Sequence, residues 1–392
     1  MKSSRYTIWT LIAIVCIAGM NQGLTLPLLA ILLEQQGVSS LANGFNAAAL
    51  YIGMILINPF MEIPLRRLGY KTTILIGLIL VTTTTLLLPF MQGLTIWFIL
   101  RLLMGAGDTM LHYSSQMWVT KITPVERRGR DLSMYGLAYG VGFGVGPLGI
   151  KLLDIGLWAP FVAVSLFSLI AFGLLQRLKN EFPAPVEAVS KGQNRYMIVF
   201  QLAWLALIPS FLYGYMESSL NGSFPVYALR TGMSAELVAI VLPSFVVGSL
   251  ILQLPLGTLS DRIGRQKVMM GCAIVGGAAF LCIPFVGASV WMIMALFAIA
   301  GAAVGSFYSL GLAFAADILP DGMIPTAGII AGMNFSIASI VGPNINGYLM
   351  DFATPSWIFY VMGGLLLSFM GLGLFFRAKP KNATSTSGAI AS

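Results

Sequence analysis

Twelve apolar stretches divide the chain, at 8–33, 41–63, 72–92, 94–119, 131–153, 157–176, 197–219, 235–256, 268–286, 290–316, 326–350 and 356–376. Most hold about 20 residues, enough to cross a bilayer core as a helix at 1.5 Å rise per residue. Charged residues gather in the short gaps between them. The pattern predicts an all-α integral membrane protein with twelve transmembrane helices. The first stretch follows Lys2 and Arg5, as in a signal peptide. It is longer than the roughly 7–15 apolar residues of such a leader and has no clear cleavage site, so we read it as an uncleaved first helix.

Composition narrows the picture. Of the 392 residues, 57% are hydrophobic and 9% charged; soluble proteins carry about 25% charged residues. That argues against a soluble domain, and disorder is excluded because disordered chains are poor in apolar residues. The net charge of +8 is not read as a nucleic-acid signal, which needs a basic patch on a solvated domain. It sets orientation instead. With the N-terminus in the cytoplasm, nineteen of the 22 Lys and Arg fall in cytoplasmic segments; only Lys151 and Arg230 lie outside, and Arg101 lies within a span. The positive-inside rule then places both termini in the cytoplasm. Cys16, Cys272 and Cys282 sit in apolar stretches, odd in number and without a CxxC. They are expected to pack rather than form a disulfide or metal site.

The longest internal gap splits the chain into a six-helix half at 1–176, a cytoplasmic linker at 177–196, a second half at 197–376 and a tail at 377–392 expected to be disordered. The halves repeat. Leu68-Gly69-Tyr70-Lys71 matches Ile263-Gly264-Arg265-Gln266, Trp97 matches Trp291, and Gly146-Pro147 matches Gly342-Pro343. Two parallel halves with a site between them is a transporter architecture.

Span four is densest in chemistry. Arg101, Asp108 and His112 are seven and four residues apart, so they share one helical side. Asp108 falls near mid-membrane, where an ionisable residue marks function by default. Arg101 has a rival reading as a hydrogen-bond hub to neighbouring carbonyls, and His112, the only histidine, as a satisfied structural group. Glu217 stands near the outer end of span seven between Tyr213 and Asn221; it is either a substrate-cation or proton site or an interfacial carboxylate. Asn21, Gln22, Tyr213 and Asn334 are cavity candidates, though polar bonding between helices explains the three amides nearly as well.

Between spans eight and nine runs Gly257-Thr258-Leu259-Ser260-Asp261-Arg262-Ile263-Gly264-Arg265-Gln266-Lys267. This resembles the G-x-L-x-D-R-x-G-R-x-K loop of the major facilitator superfamily. Gly257 would allow close helix approach, Gly264 a tight turn, and Asp261 a bond to a cationic group or a helix N-terminus. The first-half loop departs from the pattern: it keeps Gly69 and Lys71, with Glu62 in place of the first Gly and Arg66 in place of the Asp. Glu62 either takes over the acidic role or is an interfacial carboxylate. Arg101-Leu102-Leu103-Met104-Gly105-Ala106-Gly107 resembles the family's R-x-x-x-G-x-G. Gly142-Phe143-Gly144-Val145-Gly146-Pro147-Leu148-Gly149 resembles its G-x-x-x-G-P-x-x-G antiporter signature. There Gly142 and Gly146 would give a flat packing face and Pro147 a bend.

The resemblance implies the major facilitator fold, with two pseudo-symmetric six-helix halves, as in twelve-span bacterial efflux members. It implies a monomer in the bacterial plasma membrane exporting a small organic compound by alternating access, driven by protons. Asp108 would carry the proton, modulated by Arg101 and His112, with Glu217 next in line, and Asp261 would latch the cytoplasmic side. Proton-coupled uptake of a nutrient stays open, opposed only by the Gly142–Gly149 pattern. An intramembrane enzyme or receptor is disfavoured, since no nucleophile–base pair or metal cluster is apparent. No cofactor is expected, and no Walker-type phosphate loop occurs.

Overall fold

A computed structural model describes residues 2–91, 93–183, 195–287, 289–320 and 323–376. Linker residues 184–194 and the tail 377–392 lie outside the described residues, as do the side chains of Lys2, Arg127, Arg128, Lys191, Arg195, Arg377, Lys379 and Lys381.

Among the described residues, twelve helices are long and apolar enough to span a membrane: Arg5–Gln35, Ser40–Phe60, Glu62–Leu87, Leu94–Ile122, Arg130–Asp154, Ala159–Gln176, Tyr196–Arg230, Ala235–Ile263, Arg265–Phe285, Val290–Ile318, Thr326–Phe352 and Trp357–Phe375. Large apolar side chains such as Trp9, Phe90, Leu254, Phe285, Trp291 and Phe375 point outward. Exposed apolar surface on that scale suits a lipid surround and would be a liability in water. Pro27, Pro209, Pro243, Pro255 and Pro343 lie inside helices, as bilayer-embedded helices tolerate.

The repeat is visible in the packing. Span one packs on five, two and three on four, and three on six; seven packs on eleven, eight and nine on ten, and nine on twelve. Spans two and eleven, and five and eight, pack across the two halves.

Three local outcomes differ from the sequence reading. Span seven continues through a break at Ser223 into a short helix, Phe224–Arg230, so Glu217 lies well inside it rather than near its end. Pro225 at the start of that helix restarts the ladder without losing a needed N–H. The loop between spans two and three is itself helical from Glu62, interrupted at Gly69. The third concerns the cysteines: Cys272 is buried, whereas Cys282 faces outward.

The halves meet tightly at one membrane face and part at the other. At the face opposite the basic loops, a methyl group added at Gly44 would strike the Pro343 carbonyl, and one at Gly347 the Ser40 carbonyl. Asp351 accepts N–H bonds from Ser40 (3.1 Å) and Leu41 (2.9 Å), the first residues of span two. Arg230 bonds Glu34 at 2.7 Å and Asp351 at 3.4 Å. Along span five the separation from span eight widens toward the basic face. Gly144 abuts Val246, Gly140 stands 3.5 Å from Leu250 measured at an added methyl, and Gly136 has nothing within 4 Å.

Candidate functional site

Where spans five and eight part, a cavity of about 110 Å³ opens between the halves. The first half contributes Gly136, Tyr139, Gly140, Phe143 and Pro147; the second contributes Tyr213, Glu217, Asn221, Phe245, Ser249 and Gln253 among others. Glu217 is the one charged side chain lining it among the described residues. Residues 213, 217 and 221 are successive turns of one face of span seven. The Tyr213 hydroxyl lies beside the Glu217 carboxyl, and Asn221 Nδ2 donates to the Glu217 backbone carbonyl at 2.7 Å. A second hollow of about 350 Å³, lined by Leu32, Asp154, Ser234 and Glu236, lies at the opposite face, away from this site.

The first-half carboxyl group is placed differently. Asp108 lies midway along span four, 1% exposed, and neither carboxyl oxygen has a hydrogen-bond partner. Glycines position it: Gly105 backs onto Leu50 of span two and Gly107 onto Gly77 of span three, both through backbone contact. Side chains at those two positions would hold the helices apart. Tyr51 and Tyr139 each lie within electrostatic range of both Asp108 and Glu217.

Arg101, Asp108 and His112 share a helix side, but the structure gives no bond between any two of them. Arg101 is buried and turned to spans one and two, donating to Asn46 Oδ1 at 3.0 Å and to the Leu26 carbonyl at 3.4 Å. His112 meets Tyr135 of span five at 3.3 Å through Nδ1, and its ring lies edge-on to Tyr139 at 5.2 Å. Spacings of seven and four define a broad stripe, and neighbours on three helices draw its members apart.

The amides bond between helices. Tyr139 donates its hydroxyl to Gln22, Thr85 donates to Asn21 Oδ1 at 3.2 Å, and Asn334 donates to the Leu207 carbonyl at 3.2 Å. Of the three, Gln22 is the one hydrogen-bonded to a residue lining the cavity, Tyr139; the bonds of Asn21 and Asn334 tie helices within their own halves.

The glycine motif of span five packs it on span one. A methyl at Gly142 would strike the Cys16 carbonyl, at Gly146 the Leu24 nitrogen and Met20 carbonyl, and at Gly149 the Leu24 side chain. Pro147 ends the α-helix, and Gly146–Asp154 continues as 3-10 turns.

On the basic face, Gly69 and Gly264 both take positive φ, +82° and +98°, a conformation open to Gly at little cost. Two residues on, Lys71 Nζ donates to the Gln176 and Leu178 carbonyls, both at 2.9 Å. Gln266 Nε2 likewise donates to Gly373 (2.7 Å) and Phe376 (3.2 Å). Each glycine turn thus lets the residue two positions on cap the last span of its half. Asp261 bonds Arg265 at 2.8 Å, and Arg265 bonds Asp317 at 2.6 Å, all inside the second half. Glu62 pairs locally with Arg66 at 3.5 Å. Arg262 is exposed. Nothing approaches Gly257 within 4 Å of an added methyl, so the close packing expected there is not made in this state.

The family model of the Major Facilitator Superfamily matches this chain twice, over residues 11–208 and 206–390. The chain belongs to that superfamily. It is 41% identical over 382 residues to the MFS-type transporter YfkF of Bacillus subtilis (strain 168), covering 97% of each. It is 23% identical to Multidrug resistance protein 2 of the same organism, covering 96% of each. The fold is similar to that of the nucleoside transporter NupG, with a TM-score of 0.75, 13% identity and coverage of 96% of this chain and 100% of that one.

Residues that sequence reasoning missed include Tyr139, Asn46, Glu34 and Asp351. Asn46 carried a signal, as an amide within an apolar stretch. Glu34 and Asp351 carried little, because the positive-inside rule ignores acids at span ends.

Proposed function

We propose that this protein is a proton-coupled secondary transporter of the bacterial plasma membrane that exports small organic cations by alternating access. The observation behind the reading is Glu217, an acceptor in the wall of an inter-half cavity whose other lining residues are neutral. Aromatic walls from Tyr139, Phe143, Tyr213 and Phe245 suit the apolar body of such a compound, and a cation over their faces gains further attraction. Asp108, sealed from the cavity, would carry the proton. The similarity to Multidrug resistance protein 2 and the Gly142–Gly149 motif both favour export. The basic face is taken as cytoplasmic, with both termini on it. This arrangement is then inward-facing and ready to load from the cell. Rocking of residues 1–176 against 197–376 would reverse it, in a monomer that uses no cofactor.

Inside-out vesicles from expressing cells test the reading. An acidic lumen should drive ethidium accumulation, and a protonophore should abolish it. Accumulation that ignores the protonophore would overturn proton coupling, and gradient-driven uptake by intact cells would reverse the direction. For topology, membrane-impermeant thiol reagents should label Gln36→Cys in intact cells and leave Thr258→Cys untouched, both positions being exposed. Ser40, buried against span eleven, is a poor reporter.

A further inference from the structure

The Asn221 side chain stands one turn beyond Glu217 and lines the same cavity. Its amide orientation is set by the helix: Nδ2 is the donor to the Glu217 backbone carbonyl at 2.7 Å. The other end of the amide, Oδ1, therefore turns away from that carbonyl, and no described residue donates to it. The cavity wall thus offers two acceptors in succession, a carboxylate and an amide oxygen, on side chains whose Cβ atoms are about 5–6 Å apart at this spacing. The lysine and arginine side chains that could supply donors are absent from the lining residues.

We infer that Asn221 is a specificity-determining residue that selects cations carrying N–H donors, protonated amines, over quaternary ammonium compounds of the same shape. The inference rests on the organic-cation reading above and adds the chemical class that the site prefers. Glu217 attracts any cation, since Coulomb attraction needs only charge. The aromatic walls likewise serve both classes, because a quaternary ammonium interacts with ring faces as a protonated amine does. Hydrogen bonding is what distinguishes them: the Glu217 carboxylate accepts an N–H but not a methyl group, and the amide oxygen of Asn221 adds a second acceptor of the same kind. An N–H bonded to Oδ1 satisfies it, whereas a methyl group displaces water and leaves it unpaired. A site built around a hydrogen bond discriminates through that unpaired group.

Phenethylamine and its N,N,N-trimethyl derivative share one body and one charge at neutral pH, and only the first has N–H groups. Their dissociation constants for the purified full chain in detergent give the test by calorimetry. The wild type should bind the amine about tenfold more tightly. Asn221→Leu should reduce that preference several-fold by weakening amine binding alone, the remainder coming from Glu217. Asn221→Asp keeps an acceptor and should keep or enlarge the preference, which covers the case in which the leucine variant does not fold. Equal affinities in the wild type, an undiminished preference in Asn221→Leu, or its loss in Asn221→Asp would overturn the role of Asn221 while leaving the cation reading standing. Binding of neither compound would remove the cation reading and this inference with it.

Discussion

Each half of the molecule places one carboxyl group near the membrane centre, and the two are set in opposite ways. Asp108 of the first half is closed in by glycine-mediated packing, and its oxygens have no partner. Glu217 of the second half has Tyr213 beside it and a cavity in front. A group that touches neither cavity nor partner can exchange nothing larger than a proton. A group at a cavity wall can bind a ligand. A near-repeat of architecture has thus set its two carboxyl groups in unlike surroundings, with Tyr51 and Tyr139 near both.

The largest effects should come from exchanging those roles. Glu217→Gln should abolish both cation binding and transport. Asp108→Asn should abolish accumulation against a gradient while leaving counterflow of labelled for unlabelled compound within about twofold of wild type. Loss of binding in Asp108→Asn with normal membrane level, or uphill transport by it at the wild-type rate, would break the division.

The glycine–proline pairs sharpen the same contrast through stability. A methyl at Gly146 meets backbone at 2.6 Å; at the matching Gly342 it meets the Ser218 and Ser219 hydroxyls at 2.9 Å and backbone, the Tyr215 carbonyl, only at 3.1 Å. Backbone cannot step aside, whereas hydroxyls rotate. Gly146→Ala should therefore cost about 1–3 kcal/mol and Gly342→Ala less than about 1 kcal/mol, read as unequal losses of thermal stability in detergent. Equal losses would mean that the pairs pack alike.

These pairs also show what a sequence can disclose. Spans, loops and the repeat were legible because they rest on local hydrophobicity and on glycines at fixed offsets. The equivalence of Gly69 and Gly264 held down to the sign of φ. The match of Trp97 to Trp291 did not extend to environment: Trp97 is buried and bonds the Leu88 and Met91 carbonyls, while Trp291 is exposed. At the candidate site, Asp108 and Glu217 were visible as charges in apolar stretches. Their contrast was not, because what surrounds each comes from other helices. Nor did span four show that Arg101 turns to Asn46 and His112 to Tyr135.

The closure opposite the basic face gives a smaller effect. Asp351 joins the halves by accepting two backbone N–H bonds from span two, and Arg230 of its own half bonds it as well. A partly buried carboxylate at a helix N-terminus is worth about 1–2 kcal/mol. Asp351→Asn should shift the two-state population roughly tenfold toward the outward-open form. Spin-label distances across spans two and eleven would show it, and an unchanged distribution would mean that glycine packing alone holds this face.

The smallest effect belongs to the two basic loops, and it tests whether the second half also governs the other gate. Asp261 is 61% exposed and here pairs within its own half, with Arg265 and through it Asp317. Glu62, 67% exposed, reaches only Arg66 in its own loop. When the basic face closes, the chain from Asp261 through Arg265 to Asp317 can hold the second-half loop in shape against the first half. The local Glu62–Arg66 pair braces nothing beyond itself. Exposed pairs contribute about 0–1 kcal/mol, which still moves a near-balanced equilibrium several-fold. Asp261→Asn should therefore favour the inward-open form by a few-fold, and Glu62→Gln by less. Spin-label distances between the basic-face loops at fixed pH decide the order. A larger shift from Glu62→Gln would place control of that gate in the first half.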